Sequence, residues 1–232
     1  MQPRVSSAGP PFSGHRSRTS GVARRPFSLR LVVMVKEPLA GRVKTRLGRQ
    51  IGTVAATSFY RHAASAVVRR VSCTARWQTW LAVAPDTMAS SRFWPAGLPR
   101  RAQGSGDLGQ RMQRILDWHG HGPILIVGTD IPAIRQCHIA AAFKALGRSD
   151  AVLGPTPDGG FWLVGLKRSP AIPRPFSHVR WSSRYALADT LANLVGAGTS
   201  FAATLSDVDD AGGWRDVRSW SGRTILPVAV RS

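Results

Sequence analysis

The sequence predicts a three-layer α/β domain, a mostly parallel central sheet with helices on both faces. Two observations carry that prediction. Short apolar runs without polar alternation, such as Leu31-Val32-Val33-Met34-Val35 and Ile124-Leu125-Ile126-Val127, have the pattern of strands buried on both sides. Longer segments with apolar residues at helical spacing lie between such runs, and that alternation builds a parallel sheet covered on both faces. A chain of 232 residues, 43% of them hydrophobic, suits one domain of this kind around a single core.

Taken in order, residues 1–28 are rich in Pro, Ser, Gly and Arg, contain no acid and show no apolar period. They are expected to form a disordered basic extension, without the apolar core of a secretory signal. The folded domain is expected over residues 29–222, with a short tail at 223–232. It opens with a strand at Leu29–Val35 and a loop from Lys36 to about Gly48. From Ala55 the series Ala55, Phe59, Ala63, Val67, Val71 recurs every fourth residue, the stripe of a helix packed on a sheet. A strand at Thr79–Ala84 ends at Pro85-Asp86 and leads into an irregular Pro/Gly/Arg stretch. A helix starts after Asp107, with Leu108, Met112, Ile115 and Leu116 on one face. Then come a strand at Ile124–Val127, a helix at Ala133–Leu146, a strand at Ala151–Leu153, a loop at Gly154–Gly160 and a strand at Phe161–Leu166. A helix near Ser183–Val195 and a strand near Phe201–Leu205 complete the series before Asp207-Val208-Asp209-Asp210.

The charge is strongly positive, with 32 Lys+Arg against 12 Asp+Glu. Such a field attracts any polyanion. Arginine supplies nearly all of it, a bias that GC-rich coding also produces, so the field alone selects no partner. The aromatics Trp77, Trp80, Trp94, Trp118 and Trp214 are not interleaved with arginines on one face, and no helix-turn-helix or zinc pattern appears, so a specific nucleic-acid binder is disfavoured. The two cysteines, Cys73 and Cys137, make neither a disulfide framework nor a zinc motif, which fits a reducing cytoplasm. No run is long and apolar enough for a membrane span. The six histidines are scattered and form no Ser/His/Asp arrangement.

In sheets of this kind ligands sit beyond the carboxyl ends of the strands, so the loops after each strand carry the chemistry. The first loop, Lys36-Glu37-Pro38-Leu39-Ala40-Gly41-Arg42-Val43-Lys44-Thr45-Arg46-Leu47, sets four cations in eleven residues around a glycine. Lys36, Arg42, Lys44 and Arg46 suit phosphate oxygens, and Gly41 allows close backbone approach. It is neither a Walker loop nor a dinucleotide fingerprint. Gly128-Thr129-Asp130-Ile131-Pro132 puts a carboxylate at the end of a buried strand, placed either to hold a hard divalent cation or to cap the next helix. In Gly154–Trp162, Asp158 before Gly159 and Gly160 either makes a tight turn or faces substrate hydroxyls, with Phe161 or Trp162 closing the pocket. In Gly104–Met112, Asp107 either caps the helix, or the backbone at Gly106 and Asp107 and the Arg111 side chain meet the nucleotide. Asp207 and Asp209 alternate onto one side of an extended segment, as a second metal ligand or as turn chemistry.

Together the segments KEPLAGRVKTRL (residues 36–47), GDLGQRM (106–112), VGTDIP (127–132), LGPTPDGGFWLVGL (153–166) and DVDD (207–210) resemble bacterial glycosyltransferase-like proteins of the GT-A, or nucleotide-diphospho-sugar transferase, superfamily. More distantly the pattern resembles molybdenum-cofactor guanylyltransferase and phospholactate guanylyltransferase. The resemblance spans about residues 30–217. It implies a transferase that takes a nucleotide or nucleotide-sugar donor and a small-molecule acceptor. It also implies Mg²⁺ or Mn²⁺, with Arg42, Lys44 and Arg46 on donor phosphates, Asp130 on the metal, and Asp158 and Asp209 completing the site. Glycosyl and nucleotidyl transfer both fit that description. Two departures stand out: the first loop begins VKEP rather than with the LAGG-type start of nucleotidyltransferases, and DVDD runs on into AGGWRDV.

Overall fold

The computed structural model describes residues 28–170 and 173–207. The extension expected at 1–28 falls almost wholly outside them, as do Asp209, Asp210 and the C-terminal tail.

Seven strands form one sheet in the order β3-β2-β1-β4-β6-β5-β7. β1 (Arg30–Lys36) pairs in parallel with β2 (Gln78–Ala84) on one side and β4 (Ile124–Val127) on the other. The register sets Lys36 beside Ala84 and Val33 beside Val127, so the ends of these strands form one rim. β3 (Arg100–Ala102) adds in parallel to β2. β6 (Phe161–Leu166) runs antiparallel to both β4 and β5 (Ala151–Pro155), and β7 (Thr199–Phe201) is parallel to β5. The predicted layered, mostly parallel sheet is what forms, and the unpolar strands are the reason: all four residues of β4 are buried, as are Leu31, Val32, Val33 and Val35 of β1.

Successive residues of β1 face opposite layers, so the strand feeds two cores. Leu31, Val33 and Val35 pack with Tyr60, Ala64, Val67, Val68 and Val71 of α2 (Thr53–Ser72) and with Ile139 and Phe143 of α4 (Gln136–Leu146). Val32 packs on the other face with Met112, Ile115 and Leu116 of α3 (Leu108–Trp118), beside Phe176 and Leu194. α5 (Ala186–Ala192) adds Leu187 and Leu191 to that side.

Five details depart from the sequence expectation. The segment Thr45–Ile51 forms a short helix, α1, inside the stretch expected as loop. Leu47 is its one buried residue, too few for a visible apolar period. The irregular stretch before α3 contains β3, three residues whose pairing is made by backbone alone and leaves no alternation in sequence. The buried stripe of α2 begins at Ala56 and Tyr60, one residue later than expected, while Ala55 is exposed. α4 starts at Gln136 rather than Ala133, because Ile131–Ile134 closes a turn first. α5 is shorter than expected, and β7 lies at Thr199–Phe201, sharing only Phe201 with the strand expected near Phe201–Leu205, although Ala202 N–H and Leu205 N–H still donate to Leu153 and Pro155 on β5. Among the described residues no helix is long and apolar enough to cross a membrane.

Candidate functional site at the carboxyl rim of the sheet

A cavity of about 780 Å³ opens beyond the carboxyl ends of β1 and β4. Of the residues singled out in the sequence, Lys36, Lys44, Arg46, Arg111, Asp130, Asp158, Gly160 and Asp207 line it, with both Phe161 and Trp162. Gly41, Arg42, Gly106, Asp107 and Gly159 do not. Asp209 lies outside the described residues.

Lys44 and Asp130 form an ion pair in the cavity. Lys44 adopts a left-handed backbone (φ 46°, ψ 45°) just before α1, a conformation that costs a side-chain-bearing residue free energy. Its ammonium Nζ lies 2.8 Å from Asp130 Oδ1. The lysine side chain is only 4% exposed, whereas the aspartate is 58% exposed and faces the cavity. Asp130 does not cap a helix, since α4 begins six residues later behind Arg135. The loop between them is pinned by the Arg70 guanidinium, which donates to the carbonyls of Pro132 (2.9 Å) and Ile134 (2.6 Å).

The relative position of the two strand ends is set by Tyr60 of α2. Its hydroxyl accepts from Lys36 N–H at 3.0 Å and lies 3.2 Å from Lys36 O and 3.3 Å from Thr129 Oγ1. Burial pushes the phenol up to about 12; the nearby Asp130 carboxylate adds to this, while the Thr129 hydrogen bond works against it. Gln103, just beyond β3, performs a similar service for β1 and β2 by donating to Val35 O (3.1 Å) and Ala82 O (2.8 Å).

Two other carboxylates singled out in the sequence, Asp158 and Asp107, have local duties. Asp158 Oδ1 accepts from the Thr156 hydroxyl (2.5 Å) and Gly160 N–H (3.0 Å), closing the turn between β5 and β6. Gly159 takes φ 84° in that turn, and a Cβ there would come within 2.1 Å of Arg184 O. Its own carbonyl accepts from Leu187 N–H at 3.0 Å, which fastens the turn to α5. Asp107 accepts from Gln110 N–H at 2.8 Å while the Gln110 side chain accepts from Asp107 N–H at 3.0 Å, a reciprocal cap on α3. Arg111 lines the cavity and donates from Nε to Gly106 O at 2.9 Å.

Tyr60, Gln103, Trp181 and Arg184 all line the cavity and were not singled out in the sequence. Tyr60 was one residue off the helical stripe assigned to α2, and Gln103 follows the strand that backbone pairing alone creates. Trp181 and Arg184 belong to a loop that precedes α5, with Trp181 edge-on to Phe161 at a centroid distance of 6.2 Å.

Among the described residues no three His, Cys, Asp or Glu side chains gather as a closed metal cage. Asp130 shares the cavity lining with Asp158, Asp207 and the cations Lys36, Lys44, Arg46 and Arg111, a set that fits a different kind of metal binding, in which magnesium is held by one or two carboxylates and shares its remaining positions with phosphate and water.

The family model described as "Uncharacterized protein conserved in bacteria (DUF2064)" matches residues 67–183, half of the chain. A search of curated proteins finds no match. Among solved structures, a protein from Desulfovibrio desulfuricans G20 assigned as a nucleotide-diphospho-sugar transferase superposes with a TM-score of 0.75 at 24% identity, over 85% of this chain and 90% of its own. The 4-diphosphocytidyl-2C-methyl-D-erythritol synthase of Anaerococcus prevotii DSM 20548 gives 0.53 at 8% identity, over 84% and 99%. CMP:2-keto-3-deoxy-manno-octonic acid synthetase, solved with CTP, gives 0.50 at 10% identity, over 84% and 98%. These likenesses place the chain in the nucleotide-diphospho-sugar transferase fold.

Proposed function

We propose that this chain, which belongs to the DUF2064 family of bacterial proteins, is a transferase that acts on a nucleotide-activated donor at the carboxyl rim of its sheet, with glycosyl transfer as the first reading. The observation that carries the proposal is the convergence of Lys44, Arg46 and Asp130 on one cavity, from loops far apart in sequence, with Lys44 and Asp130 2.8 Å apart. The fold comparisons support the same reading, because the solved neighbours are described as enzymes of nucleotide-linked substrates.

In glycosyl transfer the bond between the sugar carbon and the diphosphate oxygen breaks, the acceptor oxygen bonds to that carbon, and a nucleoside diphosphate leaves. Negative charge gathers on the departing diphosphate. Lys44 and Arg46 stand ready to bind it, and a rigid rim that needs no reorganisation makes such cations effective. Arg46 is exposed to the cavity, and its planar fork suits two phosphate oxygens at once. Asp130 is the residue to hold Mg²⁺ or Mn²⁺, which would supply further positive charge to the diphosphate. Tyr60 and Gln103 keep the strand ends aligned, so that Asp130 stays within reach of the lysine loop. Arg184, Ser182 and Ser183 line the cavity beside the aromatic pair Phe161 and Trp181, a surface suited to a polar small-molecule acceptor.

Nucleotidyl transfer is the second reading, favoured by the position of the cations in the first loop of the sheet, where a departing pyrophosphate would also require them. The phosphorus–oxygen bond breaks in that case, and the acceptor phosphate oxygen joins the nucleotide phosphorus. Incubation with radiolabelled nucleotide sugars and nucleoside triphosphates, with magnesium, distinguishes the two. Nucleoside diphosphate release supports glycosyl transfer and pyrophosphate release supports nucleotidyl transfer. Turnover unaffected by Lys44→Met and Asp130→Asn together would remove the site from the reaction altogether.

A further inference from the structure

Gln103 is a polar side chain that the fold buries and uses at one end only. It is 3% exposed and lines the cavity. Its amide nitrogen has two hydrogens, and both are committed, to Val35 O at 3.1 Å and to Ala82 O at 2.8 Å. Those bonds fix which end of the amide is which, because the reversed amide would set its oxygen against two carbonyls. The oxygen, Oε1, is thereby turned away from the strand ends; among the described residues it has no hydrogen-bond partner, and it stays open to the cavity. The backbone around it is held as well. Gln103 N–H donates to Val83 O at 2.9 Å, its carbonyl accepts from the Arg114 guanidinium, and Gly104 N–H donates to Asp86 Oδ1 at 2.9 Å. Gln103 thus offers a ligand a fixed acceptor and no donor, which favours an N–H and opposes a carbonyl or ring nitrogen.

The surroundings of Oε1 identify the group that would carry that N–H. Along the rim Gln103 follows β3, whereas Asp158 lies in the turn between β5 and β6, so the two stand on opposite sides of the lysine/arginine loop that follows β1. Met34, Leu108 and Met112 line the same cavity. Met34 is level with Ala82, whose carbonyl Gln103 holds, and Leu108, the first residue of α3, is 43% exposed. Thioether and aliphatic side chains beside a single acceptor suit the face and edge of a flat heteroaromatic ring better than a sugar, which brings hydroxyls on every side. Resting on the reading of this cavity as a nucleotide site, we propose that Gln103 is a specificity-determining residue that reads the base of the donor. A ring imide or exocyclic amine donates to Oε1, while the ring lies against Met34 and Leu108.

The test is calorimetric titration of the full chain, in Mg²⁺, with ADP, GDP, CDP and UDP. The tightest binder is then compared with two analogues, one with its base N–H hydrogens replaced by methyl groups and one without its ribose 2′-hydroxyl. The wild type is expected to bind the methylated analogue about ten-fold more weakly or worse, and the 2′-deoxy analogue with little loss. Gln103→Met should weaken the parent nucleotide and erase most of the methylation penalty, because the acceptor is gone. The wild-type comparison decides alone if Gln103→Met proves unfolded by circular dichroism. A methylated analogue bound as tightly as its parent, a larger loss from the 2′-deoxy analogue, or a penalty undiminished in folded Gln103→Met would overturn the base reading while leaving the nucleotide site in place. Failure of all four diphosphates to bind would remove the nucleotide reading and this inference with it.

Discussion

Two aspartates in loops on the same rim of the sheet are used in opposite ways. Asp158 spends Oδ1 on its own neighbours, Thr156 and Gly160, and thereby shapes the turn between β5 and β6. Asp130 is tied to Lys44, a residue 86 positions away in the chain, and keeps more than half of its surface open to the cavity. The first is a local device that sequence neighbours define. The second exists only because β1 and β4 are adjacent in the sheet, and it couples two loops across a space large enough for a ligand. A carboxylate near glycines therefore says little about its duty until its hydrogen-bond partners are known.

The comparison is broken most directly by paired substitutions. Asp130→Asn is expected to lower turnover by about a hundred-fold or more, the magnitude for losing one strong electrostatic group from a transfer site. Asp158→Asn should change it by no more than a few-fold, because the amide oxygen still accepts from Thr156 and Gly160. Steady-state rates for the two variants decide this, and equal losses would erase the distinction. Gly159→Ala sharpens the structural half. With φ at 84° and Arg184 O 2.1 Å from the added Cβ, it is expected to cost about 1–3 kcal/mol of stability, read by chemical denaturation.

The tyrosine clasp behind Asp130 makes a prediction in pH. Tyr60 holds its proton up to about 12, whereas an unfolded tyrosine releases it near 10. The unfolded chain is therefore favoured progressively as pH rises from 10 towards 12, and the stabilisation present below pH 10 is lost over that window. The loss is about 2 kcal/mol. Tyr60→Phe should flatten that part of the stability profile, and an unchanged profile would show that Tyr60 does not hold its proton as described. The smallest effect is expected at Gly128. It lines the cavity with open space around its Cα and an ordinary backbone, so Gly128→Leu should fold normally yet weaken nucleotide binding by about ten-fold, a change of about 1.4 kcal/mol. Calorimetric titration against the nucleotide that the wild type prefers checks it.

Much of this was legible in the chain itself. Strands such as Ile124–Val127 announce themselves because burial on both faces demands an unbroken apolar run, and once they are placed the loops at their ends follow. Lys44, Arg46 and Asp130 could be found that way, although their mutual distance could not. The short elements were not legible: α1 has a single buried residue, and β3 is held by backbone hydrogen bonds that any sequence could make. Tyr60 and Gln103 escaped for a related reason. Each is a buried polar group whose purpose is defined by partners 24 and 68 residues away, and periodicity treats such residues as interruptions or as core. Asp107 and Asp158 show the converse, with local signals strong enough to foresee a cap and a turn beside the functional alternative.

The claim on which the rest depends is that the lysine/arginine loop and Asp130 serve one diphosphate. A thermal-shift panel of nucleotides and nucleotide sugars, each with and without Mg²⁺, tests it most directly, since a ligand of the native state present at about 100 times its Kd adds about 2.7 kcal/mol. At least one compound should raise the melting temperature of the wild type, more so with Mg²⁺, and lose that effect in both Arg46→Ala and Asp130→Asn. Stabilisation that survives intact in both variants would contradict the account.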